Sequence, residues 1–491
     1  MEKQSLVGVV RQLRKEIQEE GQALYASWEP QSIREDFRSS AKNLAAYAVM
    51  RRRDLRELQE RLDKLGYQGF RGIEANVLAG LDHLVQVIQG EAVANEEARW
   101  TEMDQAKAQT FQIFGLEAGK RAQNLVTLPT EAGRDPHYVS DLSQAGMDLA
   151  RINCAHDQAK TWQAMAKNIQ AAGKAKVRQH PIYCDLAGPK VRIEALYTEQ
   201  QNPRVFASDT FFISHVKPLE DFQDQNLVLY TPQKDLIQSL EVGDPVVMYD
   251  GDLLAHVTSQ HEEGVVVEVD RVRKAKGQKI KATKGMNFPG RDSQLPILTP
   301  ADCQAMEAVK DFARGYNFSF VRQVADIVAI KAQLAEAYGE ETDQHPPFFI
   351  KIETQSILEN LFPVLVEANR NHYAGLMIAR GDLAAELGFL RLASVQEDLV
   401  AIARAARIPV IWATQVMENM VKTGIPTRAE MADVMLAGRC DLVMLNKGGH
   451  IQEGIQLLNQ VLDQSRYYMP TSPSPLRPLG LEPDKKDATS F

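Results

Sequence analysis

The sequence predicts an α/β protein, a (β/α)8 TIM barrel with a small all-β lid domain inserted into it and an all-α region ahead of it. Three observations predict this. From residue 124 onward, short apolar runs each precede a helical stretch, the alternation that builds a parallel sheet covered by helices. Eight such runs can be counted, which points to closure into a barrel rather than to an open sheet. The interval between the third and fourth runs is too long for one crossover helix, and there the apolar period changes to two.

In chain order, apolar residues first recur three and four apart, as at Leu55, Leu58, Leu62 and Leu65, so residues 1–120 read as a separate N-terminal helical region. The Arg51-Arg52-Arg53 run is followed by Asp54, Glu57 and Glu60 without interleaved aromatic residues. It reads as a solvated helix face with i,i+4 ion pairs. Barrel strands are expected at 124–128, 148–153, 181–185, 316–321, 348–353, 374–379, 409–414 and 440–445, within a catalytic barrel made of residues 121–195 and 293–468. Residues 196–292 carry strand alternation such as Val265-Val266-Val267-Glu268-Val269, and the turn signal Asp250-Gly251-Asp252. They read as the inserted β domain over the barrel mouth. The Pro- and Ser-rich segment 469–491 reads as a disordered tail.

With 44% hydrophobic and 25% charged residues in 491, the composition is that of an ordinary soluble globular protein. The 65 acidic residues exceed the 56 basic ones for a formal charge of −9, so no global field favours nucleic acid or an anionic membrane. An anionic substrate must be held by a local site. The start, Met1-Glu2-Lys3-Gln4, leads into a charged helical pattern, and no stretch has the length of a membrane span. A cytoplasmic enzyme is the expectation. Cys154, Cys184, Cys303 and Cys440 are far apart and form no CxxC pair, which reads as reduced thiols.

In a parallel barrel, side chains that do chemistry gather at the carboxyl ends of the strands. Arg151 and Asn153 close the second expected strand, Asp185 the third, and Ser319 lies near the end of the fourth. Lys351 and Glu353 close the fifth, Asp382 follows the sixth, and Thr414 ends the seventh. In Lys351-Ile352-Glu353, alternate residues share a face, so an ammonium and a carboxylate enter the barrel together. With Asp382 from Ala379-Arg380-Gly381-Asp382, two hard oxygen donors make an Mg²⁺ or Mn²⁺ site. Arg151 and Lys351 can balance phosphate charge, and Gly381 lets backbone N–H groups approach a carboxylate that Thr414 can also bind.

These residues, in this order, resemble the pyruvate kinase family over roughly residues 121 to 468. The likeness is carried by Gly146-Met147-Asp148-Leu149-Ala150-Arg151-Ile152-Asn153, Asp185-Leu186-Ala187-Gly188-Pro189-Lys190-Val191-Arg192, Lys284-Gly285-Met286-Asn287-Phe288-Pro289-Gly290, Ser319-Phe320-Val321-Arg322, Lys351-Ile352-Glu353, Ala379-Arg380-Gly381-Asp382-Leu383, Ala413-Thr414-Gln415 and Pro426-Thr427-Arg428-Ala429-Glu430. The resemblance implies phosphoryl transfer from phosphoenolpyruvate to ADP, giving pyruvate and ATP. Glu353 and Asp382 would hold the divalent metal. Lys351 would stabilise phosphoryl and enolate charge, Arg151 the transferring phosphate, and Thr414 with an ordered water would protonate the enolate. Substrate would contact Arg151, Ser319, Lys351, Gly381, Asp382 and Thr414, and nucleotide would lie near His156 and Lys284. The inserted domain would close as a lid that excludes water.

The family's potassium site would lie at Asn153, Asp185 and Leu186. Here Ala155 replaces a serine, Leu186 a threonine and Lys190 a glutamate; the Leu186 with Lys190 combination resembles members working without the ion, so K⁺ is not expected to be required. Two further departures stand out. Leu128-Pro129-Thr130-Glu131-Ala132 replaces a Gly-Pro loop beside the nucleotide. Asn446-Lys447-Gly448-Gly449 replaces a Ser-Gly-Glu-Thr type segment, so Gly448 stands where the family carries an acid, which points to lower turnover or an altered acceptor. The chain also ends where the family's carboxy-terminal regulatory domain would begin, so this is expected to be a short form; assembly with further copies is left open. A metal-dependent pyruvate-enolate lyase or aldolase could use Glu353 and Asp382 equally well, and a silent phosphoenolpyruvate sensor would fit the loss at Gly448. Retention of Lys284, the insert and the strand-end ring favours the kinase.

Overall fold

The computed structural model describes residues 2–67, 69–70, 72–91, 107–117, 121–175, 179–217, 226–341, 345–468 and 479. Eight parallel strands carry the fold: β1 (Gln123–Thr127), β2 (Leu149–Asn153), β3 (Ile182–Asp185), β4 (Gly315–Phe318), β5 (Phe348–Ile352), β6 (Ala374–Ala379), β7 (Val410–Ala413) and β8 (Leu442–Leu445). Each pairs with its sequence neighbour and β8 returns to β1, so the barrel is closed. Nearly every strand residue is buried, because one face meets the surrounding helices and the other fills the barrel.

The inward set includes Leu125, Leu149, Tyr183, Phe349, Met377, Ile411, Leu442 and Met444, joined by Phe111, Phe114 and Leu116. The last three belong to a helical stretch over 107–114 and the residues after it. They fill the mouth at the amino ends of the strands, where the Tyr183 hydroxyl donates to the Phe114 carbonyl at 2.8 Å.

Helices α1 (Glu2–Ser27), α2 (Glu35–Met50), α3 (Arg56–Lys64) and α4 (Val77–Gln89) precede this stretch. They pack against the outside of the barrel. Val10, Ile17, Phe37, Leu44, Val77 and Leu81 belong to the same apolar cluster as the outer barrel core. Asn43 of α2 donates to the Ala405 carbonyl at 2.9 Å, and Arg51 pairs with Asp398 at 3.0 Å, both partners lying on the barrel helix Arg380–Ala406. Arg51 is therefore 2% exposed, not part of a solvated face, because α2 lies along a barrel helix instead of standing off in solvent. Arg53 does reach Glu16 and Glu20 on α1. Of the tail expected to be disordered, only Leu479 lies within the described residues; its N–H donates to the Arg51 carbonyl at 3.0 Å.

Between β3 and β4 the chain builds a seven-stranded sheet, in the order Met286–Asn287, Pro245–Met248, Leu253–His261, Gly264–Val272, Thr210–Ser214, Val228–Tyr230, Ala195–Tyr197. Alternation along Leu253–His261 turns one face inward, and the insert has its own core around Phe211, Val246, Val257 and Val267. Among the described residues, no helix is long and apolar enough to cross a membrane.

Candidate active site

One cavity of about 490 Å³ opens at the carboxyl ends of the barrel strands. Arg151, Asn153, Asp185, Leu186, Lys190, Ser319, Lys351, Glu353, Asp382 and Thr414 line it, with His156 and, from the insert side, Lys284. Strand geometry explains the gathering. Ala150, Ile152, Cys184, Ile350 and Ile352 face the helices, so Arg151, Asn153, Asp185 and Lys351, at alternating positions, must face inward.

The centre is a charged network with little exposure. Arg151 is 7% exposed; its guanidinium bonds to Asp185 and to the Thr127 hydroxyl. Burial pushes Arg151 down to about 10. Lys351 donates to Ser319 Oγ at 2.8 Å and lies 2.8 Å from Glu353 Oε1 and 3.7 Å from Asp185 Oδ1. The Ser319 hydroxyl donates to the Leu186 carbonyl at 2.7 Å, so the carbonyl expected to face a monovalent ion is already engaged. Glu353 takes the Phe320 N–H at 2.8 Å, and Phe320 has a φ of 60°. A left-handed phenylalanine is costly backbone, and it aims a fixed donor at the carboxylate.

On the opposite wall, the Gly381 N–H donates to Thr414 Oγ1 at 2.7 Å. The two groups expected to share a substrate carboxylate are thus bonded to each other. Thr414 has a φ of 64°. Arg380 holds this turn: Nη2 donates to the Thr414 carbonyl at 2.9 Å, Nε donates to the Ala413 carbonyl at 3.0 Å, and Asp433 accepts from the same guanidinium. Arg380 and Asp433 were not singled out by the sequence reading, although Arg380 lies inside a quoted motif. The only available signal was its place beside Gly381. Asp382 sits two residues into Arg380–Ala406, before Gly388, where φ of 72° breaks the helix. The Pro426-Thr427-Arg428-Ala429-Glu430 segment is a helix start, in which Thr427 and Glu430 form a capping box.

Lys190 reaches across from the loop after β3 to Asp382, with Nζ 2.5 Å from Oδ1. Its partner is Asp382 and not the Asn153 and Asp185 end of the cavity, where the sequence reading placed its charge. Its stem passes Gly285, where an added Cβ would stand 2.3 Å from Lys190 Cε, so a side chain there would displace the lysine from this path. His156 is pushed below the usual imidazole range, by burial first and by Lys447 next.

Glu353 is 1% exposed and Asp382 faces the same cavity. Among the described residues, no group of three or more His, Cys, Asp or Glu could hold a metal ion. Two carboxylates with the rest of the shell left to water and substrate suit Mg²⁺ or Mn²⁺, hard ions that retain several waters. The four cysteines are free thiols.

A family model described as the pyruvate kinase barrel domain matches residues 120–450. The chain is 28% identical over 330 residues to a pyruvate kinase of Mycobacterium intracellulare, covering 67% of this chain and 65% of that one. It is 27% identical over 343 residues to a pyruvate kinase of Thermotoga maritima, covering 67% of each. A crystal structure of a pyruvate kinase from Cryptosporidium parvum superposes with a TM-score of 0.61 at 25% identity, covering 71% of this chain and 70% of that one. The chain thus matches about two-thirds of the length of these relatives.

Proposed function

The chain belongs to the pyruvate kinase family, and from that premise we propose that it transfers the phosphoryl group of phosphoenolpyruvate to ADP, giving pyruvate and ATP. The observation that carries the reading is the single cavity in which Arg151, Lys351, Glu353, Asp382 and Thr414 meet Lys284 of the insert. Arg151, fixed by Asp185 and Thr127, would hold the phosphoryl oxygens. Lys351, between Glu353 and Ser319, would offset charge on the phosphoryl group in flight and on the enolate it leaves. The Gly381 N–H and Thr414 Oγ1 would open to the substrate carboxylate, and Thr414 Oγ1, through water, would pass the proton that the enolate takes at carbon. Glu353 and Asp382 would hold Mg²⁺ or Mn²⁺, which supplies Lewis-acid charge. Phosphoryl transfer needs positioning and charge neutralisation more than covalent help, and this ring offers both.

Lys284 and His156 would face the nucleotide, and the insert would close as a lid over the bound pair. Lys190 brings a positive charge into the cavity at Asp382, and in this reading that charge, although it lies away from Asn153 and Asp185, takes over the role of K⁺. The test is direct. Purified protein with phosphoenolpyruvate, Mg²⁺ and a panel of nucleoside diphosphates forms pyruvate; no product across the panel overturns the reading.

A further inference from the structure

A second cavity, of about 220 Å³, adjoins the first and shares Arg151, Asn153 and His156 with it. Leu128 and Met165 give it apolar wall, and Asn446 and Lys447, from the loop after β8, give it a polar one. Its two other cations are paired with carboxylates inside the protein, whereas Asp157 keeps its charge and is held by a hydroxyl. Arg151 pairs with Asp185, Lys422 with Glu418, and Asp157 accepts the Thr130 hydroxyl. Among the described residues no carboxylate is paired with Lys447, and its ammonium helps to depress His156 across the lobe.

Packing explains why the charge stands there. The loop is drawn tightly onto Val421: a Cβ at Gly448 would meet both Val421 Cγ1 and its carbonyl oxygen at 2.5 Å, and the His450 N–H donates to that carbonyl at 2.9 Å. Position 448 therefore cannot carry an acid, and the side chain that the loop presents to the lobe is the lysine before it. A carboxylate at this edge would repel a polyphosphate, whereas an ammonium beside His156 attracts one.

We propose that Lys447 is an acceptor-binding residue, its ammonium binding a phosphate oxygen of the nucleoside diphosphate when that acceptor lies in this lobe. The assignment rests on the kinase reading above.

Steady-state kinetics on the full chain test it, varying ADP at saturating phosphoenolpyruvate and the reverse, in wild type, Lys447→Ala, Lys447→Glu and Lys447→Arg. The KM for ADP rises about ten-fold in Lys447→Ala, the size of one charge-assisted contact. It rises further in Lys447→Glu and stays near wild type in Lys447→Arg, while the KM for phosphoenolpyruvate stays within about two-fold. Added salt raises the wild-type KM for ADP more steeply than that of Lys447→Ala. Equal ADP KM values in wild type and Lys447→Glu overturn the assignment and leave the kinase reading intact. If wild type forms no pyruvate, the kinase reading fails, and calorimetric titration of ADP into wild type and Lys447→Ala decides the remainder: equal affinities, or no binding to either, overturn the role of Lys447.

Discussion

Replacing Lys351 by methionine isolates the central charge of the ring. The ammonium touches Glu353 Oε1 and Ser319 Oγ, each at 2.8 Å, lies 3.7 Å from Asp185 Oδ1, and its side chain is 13% exposed, so solvent screens it little. Methionine keeps the length and apolar contacts of the stem, and the guanidinium of Arg151 still pairs with Asp185. What is lost is one unit of positive charge facing the transferred group. At a separation of about 4 Å and an effective dielectric constant near 20, that charge is worth roughly 4 kcal/mol. Deletion of a single preorganised electrostatic group costs about 2.7–4 kcal/mol, or roughly 10²–10³ in kcat. We therefore expect kcat for pyruvate formation to fall by about that factor in Lys351→Met, with an unchanged circular dichroism spectrum and partial recovery in Lys351→Arg. The assay is initial rates at saturating phosphoenolpyruvate, ADP and Mg²⁺. A folded Lys351→Met within about three-fold of wild type would refute the role given to this ammonium.

Glu353→Gln and Asp382→Asn should each raise the Mg²⁺ concentration needed for half-maximal rate by ten-fold or so, because a neutral oxygen is a weaker donor to a hard cation; coincident Mg²⁺ titrations would move the metal elsewhere. Lys190→Glu should lose most activity, since it sets a carboxylate against Asp382 where an ammonium now stands at 2.5 Å. Wild type should work in K⁺-free buffer, and many-fold activation by KCl over an inert salt would contradict this. Burial, aided by Asp292 and Asp382 and opposed by a hydrogen bond with Asn287, pushes the Glu386 carboxyl up to about 8 from an ordinary 4.5. Its folded value lies above its unfolded one, so the stabilisation is complete below about pH 4.5 and is lost as pH rises through 8. Between those limits the melting temperature of wild type should fall relative to that of Glu386→Gln; parallel curves would show that Glu386 is ionised in the folded protein.

The barrel was legible because a parallel strand buried on both faces leaves an uninterrupted apolar run, as at Leu442–Leu445, and because period-two alternation in Leu253–His261 cannot be mistaken for it. The ring was legible for a related reason. A charged residue at the end of such a run has nowhere to go but the mouth, and Lys351 with Glu353 declared a shared face by spacing alone. Partners across the mouth were not legible, since they depend on reach. Lys190 and Asp382 are distant in sequence, and nothing local says that a lysine stem will cross over Gly285 to meet that carboxylate. The same holds for Arg380 on the Thr414 carbonyl. Arg51 misled the reading because a run of arginines looks solvated until a barrel helix supplies Asp398.

The stretch over 107–114 fills the barrel's lower mouth. Phe111 and Phe114 belong to the same inner layer as Leu125, Phe349 and Leu442, so the chain ahead of β1 forms the floor of the reaction vessel. Its loosening would let water rise beneath Asp185, whose buried Oδ1 accepts no hydrogen bond from the described residues. Hydrogen exchange at the foot of the strands should thus be as slow as global unfolding permits. The seven-stranded insert, with a core of its own, is free to exchange on another clock.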